Sequence, residues 1–366
     1  MTSSPRRIII LGATGTVGVR ALEIIKESPV QWQICAVSAH SQQQQLSDLV
    51  DASIPQYLTS DADDHQRLLD ILQSGHYDIC LNAVVGAAGL PFSEAVLSAG
   101  CDLALANKES LVMAGSILMS LAASNSATIV PVDSEHSAIF QCLVGETAPI
   151  KQLLLTASGG ALRDMPLADL ATATTAQALA HPNWDMGPRI TIDSATMMNK
   201  AFEIIEAHCL FGVSAEQIKV LIHRQSVIHS MVEFLDGSII AQLGPPDMGF
   251  PLHYALHYPT RTQSELNGFD IELFSELSLD LPDSERYPAL ALAQHAISVG
   301  NDAGAVLNAA DEIAVASFIA GDISFGDITK LCADALTNCC ANKCDTISDI
   351  LAADLRSREY CQLQLS

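Results

Sequence analysis

The 366-residue chain reads as α/β, with a doubly wound parallel sheet at its N-terminus, a central α/β unit and a C-terminal helical domain. Three observations predict this. The apolar run Ile8-Ile9-Ile10-Leu11 passes through a glycine turn into a helix-spaced segment, the opening of a βαβ unit. Short apolar runs of strand length then recur as far as Gln242, and from Tyr287 onward the spacing is helical. The length suits two or three domains, and the expected boundaries are 1–147, 148–275 and 276–366.

Ile8–Leu11 is the first strand, continuous in apolar character as a strand buried on both faces must be. Gly12-Ala13-Thr14-Gly15-Thr16-Val17-Gly18 then opens a helix through Leu22, Ile24 and Ile25. In that context backbone N–H groups can hold a pyrophosphate, so the domain is Rossmann-like, although Thr14 stands where the middle glycine of G-x-G-x-x-G would be. The second strand is Gln33–Val37. An acidic residue about 20 positions after the glycines would mark NAD, but the strand ends in Ser38-Ala39-His40-Ser41, which points to NADP. Residues 42–73 are polar and read as a solvated loop-and-helix crossover.

Ile79–Val84 is the next strand, followed by the small residues Gly86-Ala87-Ala88-Gly89. Leu103–Ala106 follows, with Asn107-Lys108-Glu109-Ser110 at its carboxyl end, where open parallel sheets bind ligands. Ala127–Val132 leads into Asp133-Ser134-Glu135-His136. If extended, that segment points Asp133 and Glu135 the same way, and two such carboxylates need a cation or proton between them. A second unit begins with the strand Leu153–Thr156 and the turn Ala157-Ser158-Gly159-Gly160. Strands at 219–223, 227–233 and 238–242 follow, the last two joined by a hairpin at Asp236-Gly237. Pro-rich, polar linkage is expected from Gly244 to about Pro282, then helices over 287–299, 308–320 and 327–338.

The densest chemistry lies from His181 to Glu206: a loop rich in Pro, Asn, Trp and Gly, the apolar Ile190 and Ile192, a polar turn Asp193–Thr196, and a helix-spaced segment. Asn199, Lys200 and Glu203 can crowd the mouth of one helix. An amide, an ammonium and a carboxylate there suit a substrate with one anionic end and one metal-bound end. Taken alone, the stretch reads equally well as a capped surface helix with an i,i+3 ion pair.

A formal charge of −24 argues against nucleic acid or an anionic membrane as partner, and demands local cations such as Lys108, Lys200 and His181 for an anionic substrate. Ten scattered cysteines suggest reduced thiols in a cytoplasmic protein. Cys339, Cys340 and Cys344 cluster without further ligands nearby and read as helix thiols rather than a zinc site. No uninterrupted apolar run reaches about 18 residues, so no spanning helix is expected.

Nearly the whole chain resembles the 1-deoxy-D-xylulose 5-phosphate reductoisomerase family, through GATGTVG, VGAAGL, LANKESLV, PVDSEHSAIFQ, TASGGALRD, HPNWDMG, IDSATMMNKAFE, HRQSVIHSMV and AVLNAADEIAVA in order. The resemblance implies Mg²⁺ or Mn²⁺ bound by Asp133, Glu135 and Glu203. It implies a substrate site of Lys108, Ser134, Glu135, Ser158, His181, Ser194, Asn199, Lys200 and Glu203, with Lys108, Glu135, His181 and Glu203 as catalytic residues. NADPH would be held by Thr14, Gly15, Thr16, Val17, Asn107, Glu109 and Gly187, and Trp184 and Met186 would lie in a closing lid. The implied reaction converts 1-deoxy-D-xylulose 5-phosphate to 2-C-methyl-D-erythritol 4-phosphate, in a cytoplasmic homodimer. Two other readings stand beside it: a semialdehyde dehydrogenase with Cys142 as nucleophile, and a non-catalytic nucleotide-binding or scaffold protein.

Overall fold

The computed structural model describes residues 4–28, 30–182, 187–340 and 343–366. Along the chain run β1 (Arg6–Leu11), α1 (Thr16–Glu27), β2 (Trp32–Ala39), α2 (Gln43–Leu49), β3 (Gln56–Leu58) and α3 (Ala62–Gln73). Next come β4 (Ile79–Asn82), α4 (Leu90–Ser98), β5 (Asp102–Leu105), α5 (Lys108–Asn125), β6 (Ile129–Pro131) and α6 (Ser134–Leu143). Then follow β7 (Ile150–Ala157), the short α7 (Leu167–Leu170) and α8 (Thr175–Ala178), α9 (Pro188–Thr196) and α10 (Met198–Phe211). After β8 (Ile218–Ile222), β9 (Ile228–Phe234) and β10 (Ile239–Leu243) the chain is helical: α11 (Gly249–His257), α12 (Ile271–Phe274), α13 (Ala289–Val299), α14 (Ala303–Ala320), α15 (Phe325–Cys339) and α16 (Ile347–Gln364).

These elements form two compact units. The first comprises residues to Ser110, Ser116–Phe140 and Asp247–Gly268. Its six-stranded sheet has the order β3-β2-β1-β4-β5-β6, with every pairing parallel. This is the doubly wound order, in which the strand sequence reverses beside β1 and leaves a crevice at the carboxyl ends of the strands. Ile8, Ile10, Leu22, Val37, Leu81 and Val130 pack into its core. The polar stretch read as a shortened crossover supplies β3 and the Asp61-capped α3 as well. The stretch expected to be linkage from Gly244 contains α11, whose Leu252, Ala255 and Leu256 join this core. Arg6 Nη1 donates to the carbonyls of Leu256 and Tyr258 at 2.6 and 3.1 Å and ties the returning segment to β1.

The second unit comprises Leu111–Gly115, Gln141–Pro246 and Phe269 onward. Its sheet has the order β10-β9-β7-β8, with β7 and β8 parallel and the other pairs antiparallel. Helix α14 is surrounded by α9, α13, α15 and α16. It is long and apolar enough to cross a membrane, yet most of it is buried within the protein. Val306, Leu307, Val315 and Phe318 are core side chains, each contributing about 1.5–3 kcal/mol by burial. The last helix, α16, was not read from the sequence, although Thr346 and Asp349 form a capping box at its start.

Candidate active site

In the first unit the chain leaves β1 through Gly12, whose φ of +75° favours glycine and whose Cβ, if present, would meet the Ala83 carbonyl oxygen at 2.5 Å. Gly15 caps α1 without any side-chain cap, which leaves the first N–H groups of that helix, including those of Thr16 and Val17, to a ligand. Thr14 donates to Gln42 Oε1 at 2.9 Å, and Gln45 donates to the Thr14 carbonyl at 3.2 Å, so α2 steadies the turn. At the end of β2, His40 Nδ1 lies 3.3 Å from Thr59 Oγ1.

Asn107 caps α5, accepting from the Ser110 N–H at 3.1 Å. Its amide donates to the Val84 and Gly86 carbonyls at 2.7 and 2.9 Å and to Glu109 Oε2 at 2.9 Å, while Glu109 Oε1 accepts from the Gly86 N–H at 3.2 Å. Asn107 and Glu109 thus hold the small-residue turn after β4, beside the crevice where a dinucleotide binds in this topology.

Asp133 and Glu135 do not alternate along a strand. α6 begins at Ser134, so Glu135 lies in the first turn of a helix and Asp133 immediately precedes it. Lys108 Nζ lies 2.5 Å from Asp133 Oδ2, His136 Nδ1 is 3.9 Å from Oδ1, and Ser134 Oγ donates to Glu135 Oε2 at 2.5 Å. Burial pushes the Asp133 carboxyl up, but Lys108, His136 and Glu135 more than offset this and hold it well below the usual carboxylate range. The result is a mostly buried, ionised oxygen donor of the kind a hard divalent cation takes.

In the second unit, β7 ends in Ser158-Gly159-Gly160. Gly160 has a φ of +72°, and a Cβ there would meet the Ser194 carbonyl oxygen at 2.5 Å, so the turn presses closely on α9. Ser158 Oγ lies 3.1 Å from His181 Nε2 and accepts from the Gly160 N–H at 3.2 Å. Arg163 donates to the Ser158 carbonyl at 2.8 Å and Tyr287 to the Gly159 carbonyl at 3.0 Å, two supports that the sequence did not single out. Burial, with Arg163 nearby, lowers the His181 pKa and keeps its imidazole neutral at neutral pH.

The segment expected as a polar turn, Asp193–Thr196, lies instead within α9, which Gly187 caps and Pro188 starts. The break comes at Met197, with φ of +63°. Beyond it α10 carries Asn199, Lys200 and Glu203. Asn199 Nδ2 donates to Glu203 Oε1 at 2.6 Å and Lys200 ion-pairs with the same carboxylate, which is buried. Ser194 is half-buried and Gly187 exposed. Ser158, His181 and the backbone of Ser194 therefore converge, while Asn199, Lys200 and Glu203 form a second cluster. Trp184 and Met186 lie outside the described residues. Cys142 is buried in α6, a poor position for an attacking thiol.

Comparison with known proteins places these residues in one family. Residues 8–70 and 62–115 match 1-deoxy-D-xylulose 5-phosphate reductoisomerase, residues 129–211 its C-terminal domain, and residues 243–360 the DXP reductoisomerase C-terminal domain. A 1-deoxy-D-xylulose 5-phosphate reductoisomerase of Idiomarina loihiensis is 42% identical, covering 96% of this chain and 97% of its own. One of Geobacter metallireducens is 43% identical, covering 97% of each. The Zymomonas mobilis enzyme solved with NADPH superposes with a TM-score of 0.90 at 36% identity, covering 99% of this chain and 100% of its own. A DOX-P reductoisomerase solved with NADPH, fosmidomycin and magnesium gives 0.88 at 36% identity, covering 98% of each.

Proposed function

The chain belongs to the 1-deoxy-D-xylulose 5-phosphate reductoisomerase family, and from that premise we propose how its own residues carry the reaction. The enzyme is an NADPH- and divalent-metal-dependent reductoisomerase that converts 1-deoxy-D-xylulose 5-phosphate to 2-C-methyl-D-erythritol 4-phosphate for isoprenoid precursor synthesis. Asp133, Glu135 and Glu203 hold the metal, an all-carboxylate set that suits Mg²⁺ and Mn²⁺ alike. When bound, the ion supplies Lewis acidity toward the substrate's carbonyl and hydroxyl oxygens, and NADPH supplies the hydride.

The protein's part is binding, orientation and charge. Ser158, Ser194 and Asn199 hold the phosphate end, with Lys200 and the neutral His181 beside them, so that binding energy from a remote group aligns the reacting carbons. Lys108 keeps Asp133 ionised and, with Ser134, Glu135 and Glu203, faces the substrate's oxygens. Thr14, Gly15, Thr16 and Val17, with Asn107, Glu109 and Gly187, hold NADPH. Residues 1–147 act as the cofactor module, 148–275 as the catalytic module and 276–366 as the helical support. The ten cysteines, none of them in a disulfide among the described residues, fit work in the cytoplasm, and the exposed Ile239 and Ile240 of edge strand β10 fit a homodimer.

The observation that carries this reading is the mostly buried Asp133, held ionised beside Lys108. Its test is NADPH oxidation with 1-deoxy-D-xylulose 5-phosphate, with and without a chelator. Turnover should require both substrate and free metal, Glu203→Gln should abolish it and Cys142→Ser should retain it. Turnover unaffected by chelation, or the reverse ranking of the two variants, would overturn the assignment.

A further inference from the structure

Helix α9 carries Ser194, and a buried ionic cluster joins it to α14. Arg189, in its first turn, reaches Asn308 Oδ1 at 3.1 Å, Asp311 Oδ2 at 3.5 Å and Glu312 Oε1 at 3.0 Å on α14, and lies 3.7 Å from Asp193 on its own helix. Arg358 of α16 closes the cluster, pairing at 2.6 Å with both Glu312 and Asp354. Asp311 and Asn308 are fully buried and Asp193 nearly so. The thiols of Cys332 on α15 and Cys361 on α16 lie beside the cluster, and burial and then Asp311 push the Cys332 thiol far up.

Two cations, Arg189 and Arg358, thus meet four acids: Asp193, Asp311, Glu312 and Asp354. Arg189 is divided among three of them, so its charge cannot neutralise each. Asp193 and Asp311 both lie against the Arg189 guanidinium, at 3.7 and 3.5 Å, and Asp311 Oδ1 accepts no hydrogen bond from the described residues. Two carboxyls against one guanidinium, with one proton between them, satisfy this arrangement, whereas two carboxylates repel. Burial, only partly offset by Arg189, raises the Asp311 pKa to about 6.

We propose that Arg189 and the proton-sharing Asp193–Asp311 pair are positioning residues: they seat α9 on α14, set the place of Ser194, and make the hold on the substrate's phosphate depend on pH. The proposal rests on the reading that Ser194 takes that phosphate. Loss of the shared proton sets a second carboxylate against Asp193, one residue from Ser194. That both strains the contact between α9 and α14 and adds repulsion toward an anionic ligand.

The test is steady-state kinetics on the full chain with saturating NADPH and Mg²⁺, from about pH 5.5 to about pH 8.5, a range that brackets a carboxyl raised in this way. Titration of the substrate or the metal ligands affects all variants alike, so the readout is the ratio of wild-type KM to that of Asp311→Asn. The ratio should be near one at the acid end and rise by about fivefold toward the alkaline end, the lower range for coupling between sites, with the kcat ratio unchanged. Arg189→Lys keeps the charge but loses the fork, and should raise KM at every pH while leaving the step in place. A flat KM ratio, or lowered thermal stability in both variants with KM unmoved, would overturn the proposal. Ser194→Ala separates the two layers. If it raises KM while the Asp311→Asn ratio stays flat, the coupling alone fails. If it leaves KM unmoved, the phosphate assignment fails and the proposal with it.

Discussion

Asp133 and Asp311 make an instructive pair. Each is an aspartate beside a cation, Asp133 mostly and Asp311 wholly buried, yet Lys108, His136 and Glu135 hold Asp133 ionised well below the ordinary range, while Asp311 is raised to about 6. Burial pushes both upward. The difference lies in the neighbours: Lys108 and His136 both pull Asp133 down, whereas Glu312 pushes Asp311 further up against Arg189. Lys108 makes a 2.5 Å ion pair with Asp133, with His136 also beside it, whereas Arg189 is spread over Asp193, Asp311 and Glu312. The first arrangement keeps an oxygen ready for a metal. The second suits a clamp between helices, because a protonated acid can donate a hydrogen bond that a carboxylate cannot.

The largest effect expected of this contrast is on activity. Asp133→Asn should reduce turnover by at least about a hundredfold, since even outer-shell partners of a bound metal are worth 10–100-fold, whereas Asp311→Asn should remain active. Equal losses in the two variants, measured as kcat/KM at neutral pH, would break the distinction. Removing the cation should sharpen it. In Lys108→Met burial acts on Asp133 with less opposition, so protons should displace Mn²⁺ at a pH higher by about one unit or more. Mn²⁺ titrations at several pH values would register the shift, and an unmoved midpoint would mean that Lys108 does not set the ionisation of Asp133.

Stability should separate the regions next. An unfolded aspartate releases its proton in the ordinary carboxylate range, but folded Asp311 keeps one up to about pH 6. Between those limits the folded state binds the extra proton, so this group adds stability as the pH falls through about 6, and the addition is complete below the unfolded pKa. Asp311→Asn should lack that contribution, which melting curves can resolve at about 2–4 °C per kcal/mol for units of this size. The smallest effect belongs to an exposed position. His40, at the solvent end of β2, has no burial to amplify its charge. His40→Lys should tighten NADPH over NADH by no more than about fivefold, the limit of an exposed ion pair. A larger change in the ratio of dissociation constants would place His40 in a more enclosed setting.

The same contrast explains what was legible in the sequence. The glycine turn after β1, the strands β4, β5 and β7, and the hairpin at Asp236-Gly237 follow from local pattern, because buried parallel strands and tight turns leave short-range signatures. The substrate and metal assignments came as motifs. Harder to read was where helices begin: Ser134 starts α6 directly after an apolar strand, and Pro188 starts α9 across residues that read as an apolar run and a polar turn. The cluster around Asp311 was not legible at all. It joins residues more than a hundred positions apart, and nothing near Arg189 in the sequence marks Asn308 or Glu312 as its partners. For the same reason α11 passed for linkage, since only its packing with the β1 and α1 core gives it a place.

The most direct measurement is Mn²⁺ binding at neutral pH to the wild type and to Asp133→Asn, Glu135→Gln and Glu203→Gln, read by calorimetry or by the spin signal of the free ion. If these three carboxylates share one ion, the wild type should bind a single Mn²⁺, and each variant should bind at least about tenfold more weakly. Undiminished binding in any one of them would contradict the account.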